Sequence, residues 1–163
     1  MKERKILSNF ALLAVIFIVG LFLINQPAKN LAPENIKYVK IWGQIIKVDL
    51  ALTKDAQAQG LSGRNGLKEK EGMLFVFDNS DIHSFWMKDM NFPIDIIWLD
   101  EAKKVIYIKK DARPVSLEFQ WGELDLYLET YGPEIASKYV LEVVSGFSDK
   151  NNLKEGDRVE FMY

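Results

Sequence analysis

The stretch "HSFWMKDMNFPIDIIWLD", His83 to Asp100, concentrates the side chains with chemical potential. It holds the chain's single histidine, His83, an aromatic–sulfur–lysine run of Trp86, Met87 and Lys88, and Asp95 set among isoleucines. Strand alternation would put Ser84, Trp86 and Lys88 on one face, a flat aromatic platform beside a cation. Phe85 and Met87 would then fill the core. If Ser84–Lys88 and Ile94–Leu99 form a hairpin centred between Asn91 and Phe92, Lys88 lies opposite Asp95 as a cross-strand pair. Arg64, ending "GLSGR", could take a carboxylate or phosphate in its guanidinium fork, or make a structural bond to helix-end carbonyls or to Asp95. The ligand-binding candidates are therefore Arg64, Trp86, Lys88 and Asp95, with Asp95 doubling as a weak catalytic candidate. His83, near a turn, reads as a surface or internally satisfied histidine rather than a base.

Several chemistries are excluded by composition. There is no cysteine and one histidine, so the usual zinc sets are out of reach and no metal site is expected. Asp78, Ser80 and Asp81 lack the spacing of a calcium loop and read as a polar turn. No phosphate-binding loop, H-E-x-x-H or G-x-S-x-G elbow occurs, and "VVSGF" places Ser145 at a strand end without the flanking glycine pattern. No cofactor is expected. Of 21 basic and 23 acidic residues, three basic and one acidic lie in Met1–Lys5, leaving 18 against 22. That acidic balance argues against a nucleic-acid partner.

The elements that would position these groups follow a long N-terminal signal. Ile6–Ile24 is uncharged, and as a helix its 19 residues would span roughly 28 Å, close to a bilayer core of about 30 Å. Lys2, Arg4 and Lys5 precede it, so the positive-inside bias keeps residues 1–24 as cytoplasmic tip and signal anchor with the rest outside. No small-x-small cleavage pattern follows in "NQPAKN", although secretion after cleavage is the alternative. Residues 25–36, with two prolines, read as a linker, and residues 37–163 as one extracytoplasmic domain.

Within that domain "IKYVKIWGQIIKVDLA" predicts two short strands turned at Gly43. "TKDAQAQG" predicts a brief helix capped by Thr53 and ended near Gly60. "GMLFVF" has the unbroken apolar character of a strand buried on both faces. "KKVIYIKK", "YVLEVVSG" and "GDRVEFMY" predict further strands, with one helical turn started by Ser148. "LEFQWGELDLYLE", Leu117–Glu129, alternates as a hairpin with one apolar and one acidic face: a cover for the core, or a flap that binds a partner. The fold class is α+β and mostly β, a barrel-like antiparallel or mixed sheet with two or three short helices, preceded by one transmembrane helix.

"GLSGR", "GMLFVF", "FWMKDMNFPIDIIWLD", "YVLEVVSG" and "LKEGDRVEF", in this order, resemble the domain of unknown function 192 family across nearly all of Ile45 to Phe161. The resemblance implies a compact β-rich domain, often behind a signal sequence or anchor, and implies no established reaction or ligand. Family members usually have a short proline-rich loop in place of Leu117–Glu129, and often asparagine where this chain has Asp89. The leading expectation is a membrane-anchored binding or accessory module for a small anionic or sugar-like compound, or for a peptide. The alternatives are an envelope hydrolase or transferase using Asp95 with Lys88 and Arg64, and a purely structural domain.

Overall fold

A two-residue turn begins the sheet. Trp42 and Gly43 both have positive φ, 49° and 77°, the backbone that matches the twist of a tight hairpin. They join β1 (Tyr38–Ile41) to β2 (Gln44–Ala51), with Ile41 opposite Gln44. The computed structural model describes residues 32–114 and 129–163. Residues 6–24 and residues 117–128 of the expected acidic hairpin lie outside the described residues. Among the described residues, no helix is long and apolar enough to cross a membrane.

From β2 the chain crosses over through α1 (Lys54–Gln59) to β3 (Glu71–Asp81), which runs parallel to β2. Thr53 Oγ1 accepts from Ala56 N at 3.2 Å, and Gly60 N donates to Ala56 O at 2.9 Å, so both ends of this helix are closed as the sequence predicts. Gln57 Nε2 ties the helix to the sheet through the carbonyls of Ala51 and Val76.

The remaining strands among the described residues are β4 (Phe85–Trp86), β5 (Ile94–Leu99), β6 (Val105–Ala112), β7 (Thr130–Tyr131), β8 (Ser137–Val144) and β9 (Glu160–Met162); α2 is Phe147–Lys150. Seven form one mixed sheet in the order β6-β5-β8-β3-β2-β1-β9, while β4 and β7 pair separately. Val105 N donates to Asp157 O, Gly156 N to Val105 O, and Val159 N to Lys103 O. These bonds draw the chain before β9 toward the start of β6 and curl the sheet into a half-barrel.

Two apolar cores result, one on each face. Val39, Ile41, Ile46, Leu74, Ile97, Leu141, Val143 and Phe161 belong to the first. Leu61, Met73, Phe75, Met87, Ile96, Trp98 and Val140 belong to the second. Every residue of β5 is buried, as expected for a strand with a core on both sides and partners on both edges.

Two expectations are corrected. The Ser84–Lys88/Ile94–Leu99 hairpin does not form: β5 pairs with β6 and β8, and β4 pairs with β7. A fully buried strand gains most from two long neighbours, whereas Asp89 with φ 56° and the donor-less Pro93 make the intervening segment a connector. The last short helix has Gly146 at its N-cap, with φ 82°, and Ser148 lies inside it.

Candidate functional site

The connector packs against the loop after α1. Ser62 Oγ donates to Lys88 O at 2.8 Å, Gly63 N to Asp89 O at 2.9 Å, and Asn91 Nδ2 to Arg64 O at 2.9 Å. "GLSGR" and "WMKDMN" thus form one stitched surface over the second core. Between this surface, α1 and β4 opens a cleft of about 280 Å³. Phe75, Phe77, Phe85, Trp86 and Met90 line it, and Glu142 and His83 contribute to its wall.

The aromatic wall has defined geometry. Phe85 meets Phe75 edge-on at 4.8 Å and Trp98 edge-on at 5.7 Å between centroids. His83 stacks on Phe77 at 3.5 Å, with 13° between the ring planes. Its carbonyl accepts from Trp98 Nε1 at 2.8 Å, which ties the His83 segment to β5. Gly132 passes so close that a Cβ there would sit 2.8 Å from the same carbonyl. Only glycine lets the chain pass at that point.

Glu142 enters the cleft wall from β8. It pairs with Ile96 and Met73 on the neighbouring strands, and so faces the second core. It is 5% exposed and its Oε2 has no hydrogen-bond partner. Burial pushes its carboxyl up to about 8, against the pull of the Arg64 guanidinium, so the group is protonated at neutral pH. The loop above leaves little room: a Cβ at Gly60 would stand 3.3 Å from the Phe75 ring and 3.9 Å from Glu142 Oε2. His83 Nε2 is also buried without a partner. Burial lowers this histidine's pKa, outweighing a backbone hydrogen bond at Asn79 and the charge of Asp81. The imidazole is therefore neutral at pH 7. Buried polar atoms are normally paired, and two unpaired ones line the same cleft.

The residues singled out in the sequence divide. Trp86, half exposed, rims the cleft, and Lys88 Nζ lies 5.7 Å from its ring centroid. Arg64 is close in the chain to that surface, but its Nη1 bonds Asp49 Oδ2 at 2.8 Å in a separate recess with Lys47 and Glu71. Asp95 is elsewhere. It pairs with Val143 on the first core's face of the sheet, and its carboxyl accepts from Ser148 N at 2.8 Å, Asp111 N at 3.0 Å and Gly146 N at 3.2 Å. It closes the start of α2 and the bulged end of β6, and makes no pair with Lys88 or Arg64. His83, read from the sequence as a surface or satisfied histidine, is of intermediate exposure and leaves Nε2 unpaired. Glu142 was missed, although one carboxyl inside the apolar run "YVLEVVSG" is the same signal that drew attention to Asp95. Among the described residues no group of acidic or histidine side chains could hold a metal ion.

Fold and cleft together define a small mixed-β domain with an aromatic recess on one face of a curled sheet. The sequence matches the domain of unknown function 192 family, described as "Uncharacterized ACR", over residues 37–161, and the chain belongs to that family. Two crystal structures are similar. A Novosphingobium aromaticivorans protein of unknown function superposes with a TM-score of 0.67 at 28% identity, covering 82% of this chain and 93% of that one. A Sinorhizobium meliloti protein, described as a candidate transcription regulator, gives 0.63 at 26% identity, covering 72% and 82%. A comparison with curated proteins gives no match.

Proposed function

We propose that the protein is a membrane-anchored extracytoplasmic binding module that takes a small molecule, or a side chain of a peptide, into the cleft between α1 and β4. One observation carries this reading: the buried Glu142 carboxyl, without a hydrogen-bond partner for Oε2, in the wall of an aromatic cavity. Concave, mostly apolar recesses with a few unspent polar groups are the usual form of small-ligand sites. Trp86 at the rim adds an exposed flat ring, and exposed aromatics of this kind favour contact with a partner. Binding ranks above catalysis because, among the described residues, no serine or threonine hydroxyl is bonded to a histidine. Asp95, the acid/base of the hydrolase reading, is committed to three backbone amides.

The anchor rests on the uncharged Ile6–Ile24 run behind Lys2, Arg4 and Lys5, with residues 37–163 outside the membrane. Regulation of transcription, the role suggested for the Sinorhizobium protein, is not part of this reading: 18 basic residues against 22 acidic beyond Met1–Lys5 argue against a nucleic-acid partner.

A thermal-shift screen of the full chain in detergent micelles tests the binding reading. A ligand that raises Tm should lose its protection in Trp86→Ala, whose own stability should stay within about 0.5 kcal/mol of the parent because the ring is exposed. Protection that survives the substitution would move the site away from the cleft. Consumption of the ligand would replace binding by catalysis. Cleavage of the domain by protease added to intact spheroplasts checks its side of the membrane; a protected domain would overturn the topology.

A further inference from the structure

The cleft's unpaired atoms and its rings together select a ligand charge. Among the described residues, Glu142 is the one acidic side chain in the lining, and no lysine or arginine joins it. His83 Nε2 is a second buried, unpaired polar atom at the lining, and it accepts a hydrogen bond when the neutral ring carries its proton on Nδ1. Phe75, Phe77, Phe85 and Trp86 present π-faces or edges to the same space. Two acceptors within an aromatic wall are what an N–H-bearing cation needs, since ring faces attract cations most strongly where water is excluded. The chain already pairs its own lysines with aromatic rings, Lys109 over Tyr131 at 4.2 Å and, at the cleft rim, Lys88 at 5.7 Å from the Trp86 centroid. The excess of acidic over basic residues favours approach of cations.

We propose that the cleft is an ammonium site, taking the cationic end of a primary or methylated amine past Trp86 and against the aromatic wall, with Glu142 as its counter-ion and His83 Nε2 as a second acceptor. This inference rests on the cleft being the binding site and adds the ligand class.

The charge balance has a measurable consequence. In the free protein Glu142 keeps its proton at neutral pH, so each bound cation expels one proton to solvent. The groups facing Glu142 do not mask this. Arg64 comes from the loop after α1 and is held by Asp49 of β2. β3 and β5 contribute Met73, Phe75 and Ile96, and His83 is neutral. Affinity for an ammonium ion therefore rises about tenfold per pH unit below the Glu142 midpoint and levels off above it.

The test is titration calorimetry of the full chain in micelles with benzylammonium and with benzyl alcohol, its uncharged counterpart. At pH 7, runs in buffers of different ionisation enthalpy should show close to one proton released per benzylammonium bound. The Kd should fall about tenfold from pH 6 to pH 7. Benzyl alcohol should bind more weakly, without a pH trend, and Glu142→Gln should abolish the preference for the cation. If benzyl alcohol binds as tightly and no proton is released, the ammonium assignment falls while the cleft remains a binding site. If neither compound binds at tens of millimolar, both readings fall. Should Glu142→Gln not fold, the proton count on the parent protein alone decides.

Discussion

Asp95 and Glu142 stand on adjacent strands, both buried in apolar surroundings, and their circumstances are opposite. Asp95 is completely buried and accepts three backbone amides. Glu142, one register position away on the other face of the sheet, is 5% exposed and has no partner for Oε2. A buried carboxyl supplied with donors is part of the scaffold, because those amides would otherwise be orphaned helix-start and bulge groups. A buried carboxyl left without donors costs the fold stability, and its survival points to a use outside the fold. The difference between them is the donors, not the residue type or the depth.

The largest effect should come from removing the scaffold member. Asp95→Ala leaves three backbone N–H groups unpaired in a closed environment and should cost about 4 kcal/mol, a large part of a small domain's stability. Urea denaturation measures it; a loss under about 1 kcal/mol would mean the amides find other partners and the contrast is false. Glu142 should behave in the reverse sense. Its folded pKa is raised from 4.5 to about 8, so the native state holds its proton while the unfolded chain loses it. The associated stability is present in full below pH 4.5 and is lost as pH rises to about 8. Between pH 5 and 7 the parent should lose about 2–3 kcal/mol, at most about 1.4 per pH unit, relative to Glu142→Gln, whose buried amide does not titrate. Parallel stability–pH curves for the two proteins would show that Glu142 is ionised and solvated.

On the second face the Trp98 indole bonds the His83 carbonyl from within β5. Trp98→Phe should cost about 2 kcal/mol, through a small cavity and an unpaired carbonyl. It should also perturb the His83 ring resonances while leaving those of α2 in place. Equal disturbance of α2 would show that the two regions are not separately anchored.

Much of this scaffold was legible in local signals. Gly43 marked the first turn, Thr53 and Gly60 bounded α1, and the apolar runs of β3 and β8 were strands as read. Alternation also sorted Phe85 and Met87 inward from Trp86. The Ser84–Leu99 hairpin failed because pairing of a doubly buried strand is decided by distant partners, here β6 and β8, and proximity in sequence carried no such information. The site failed for the same reason. Two of the Asp95 donors, Gly146 N and Ser148 N, lie 51 and 53 residues away, so nothing near Asp95 distinguishes it from Glu142. A lone acid in an apolar strand reads identically whether or not amides converge on it.

The smallest effect is the most selective. Arg64 lowers the Glu142 pKa from a position where it is already bonded to Asp49. That ion pair is substantially exposed, with side-chain exposures of 39% and 55%, so Arg64→Met should change stability by only about 0.5 kcal/mol. Its effect on Glu142 should still be visible. Removing the cation leaves burial unopposed, so the midpoint moves above its present value of about 8. The window over which stability is lost then extends to higher pH. Carbon-13 NMR of the Glu142 carboxyl reads this midpoint directly. If the Glu142 midpoint stays fixed or falls, the Arg64 charge does not reach the cleft, and the isolation of Glu142 is more complete than the geometry implies.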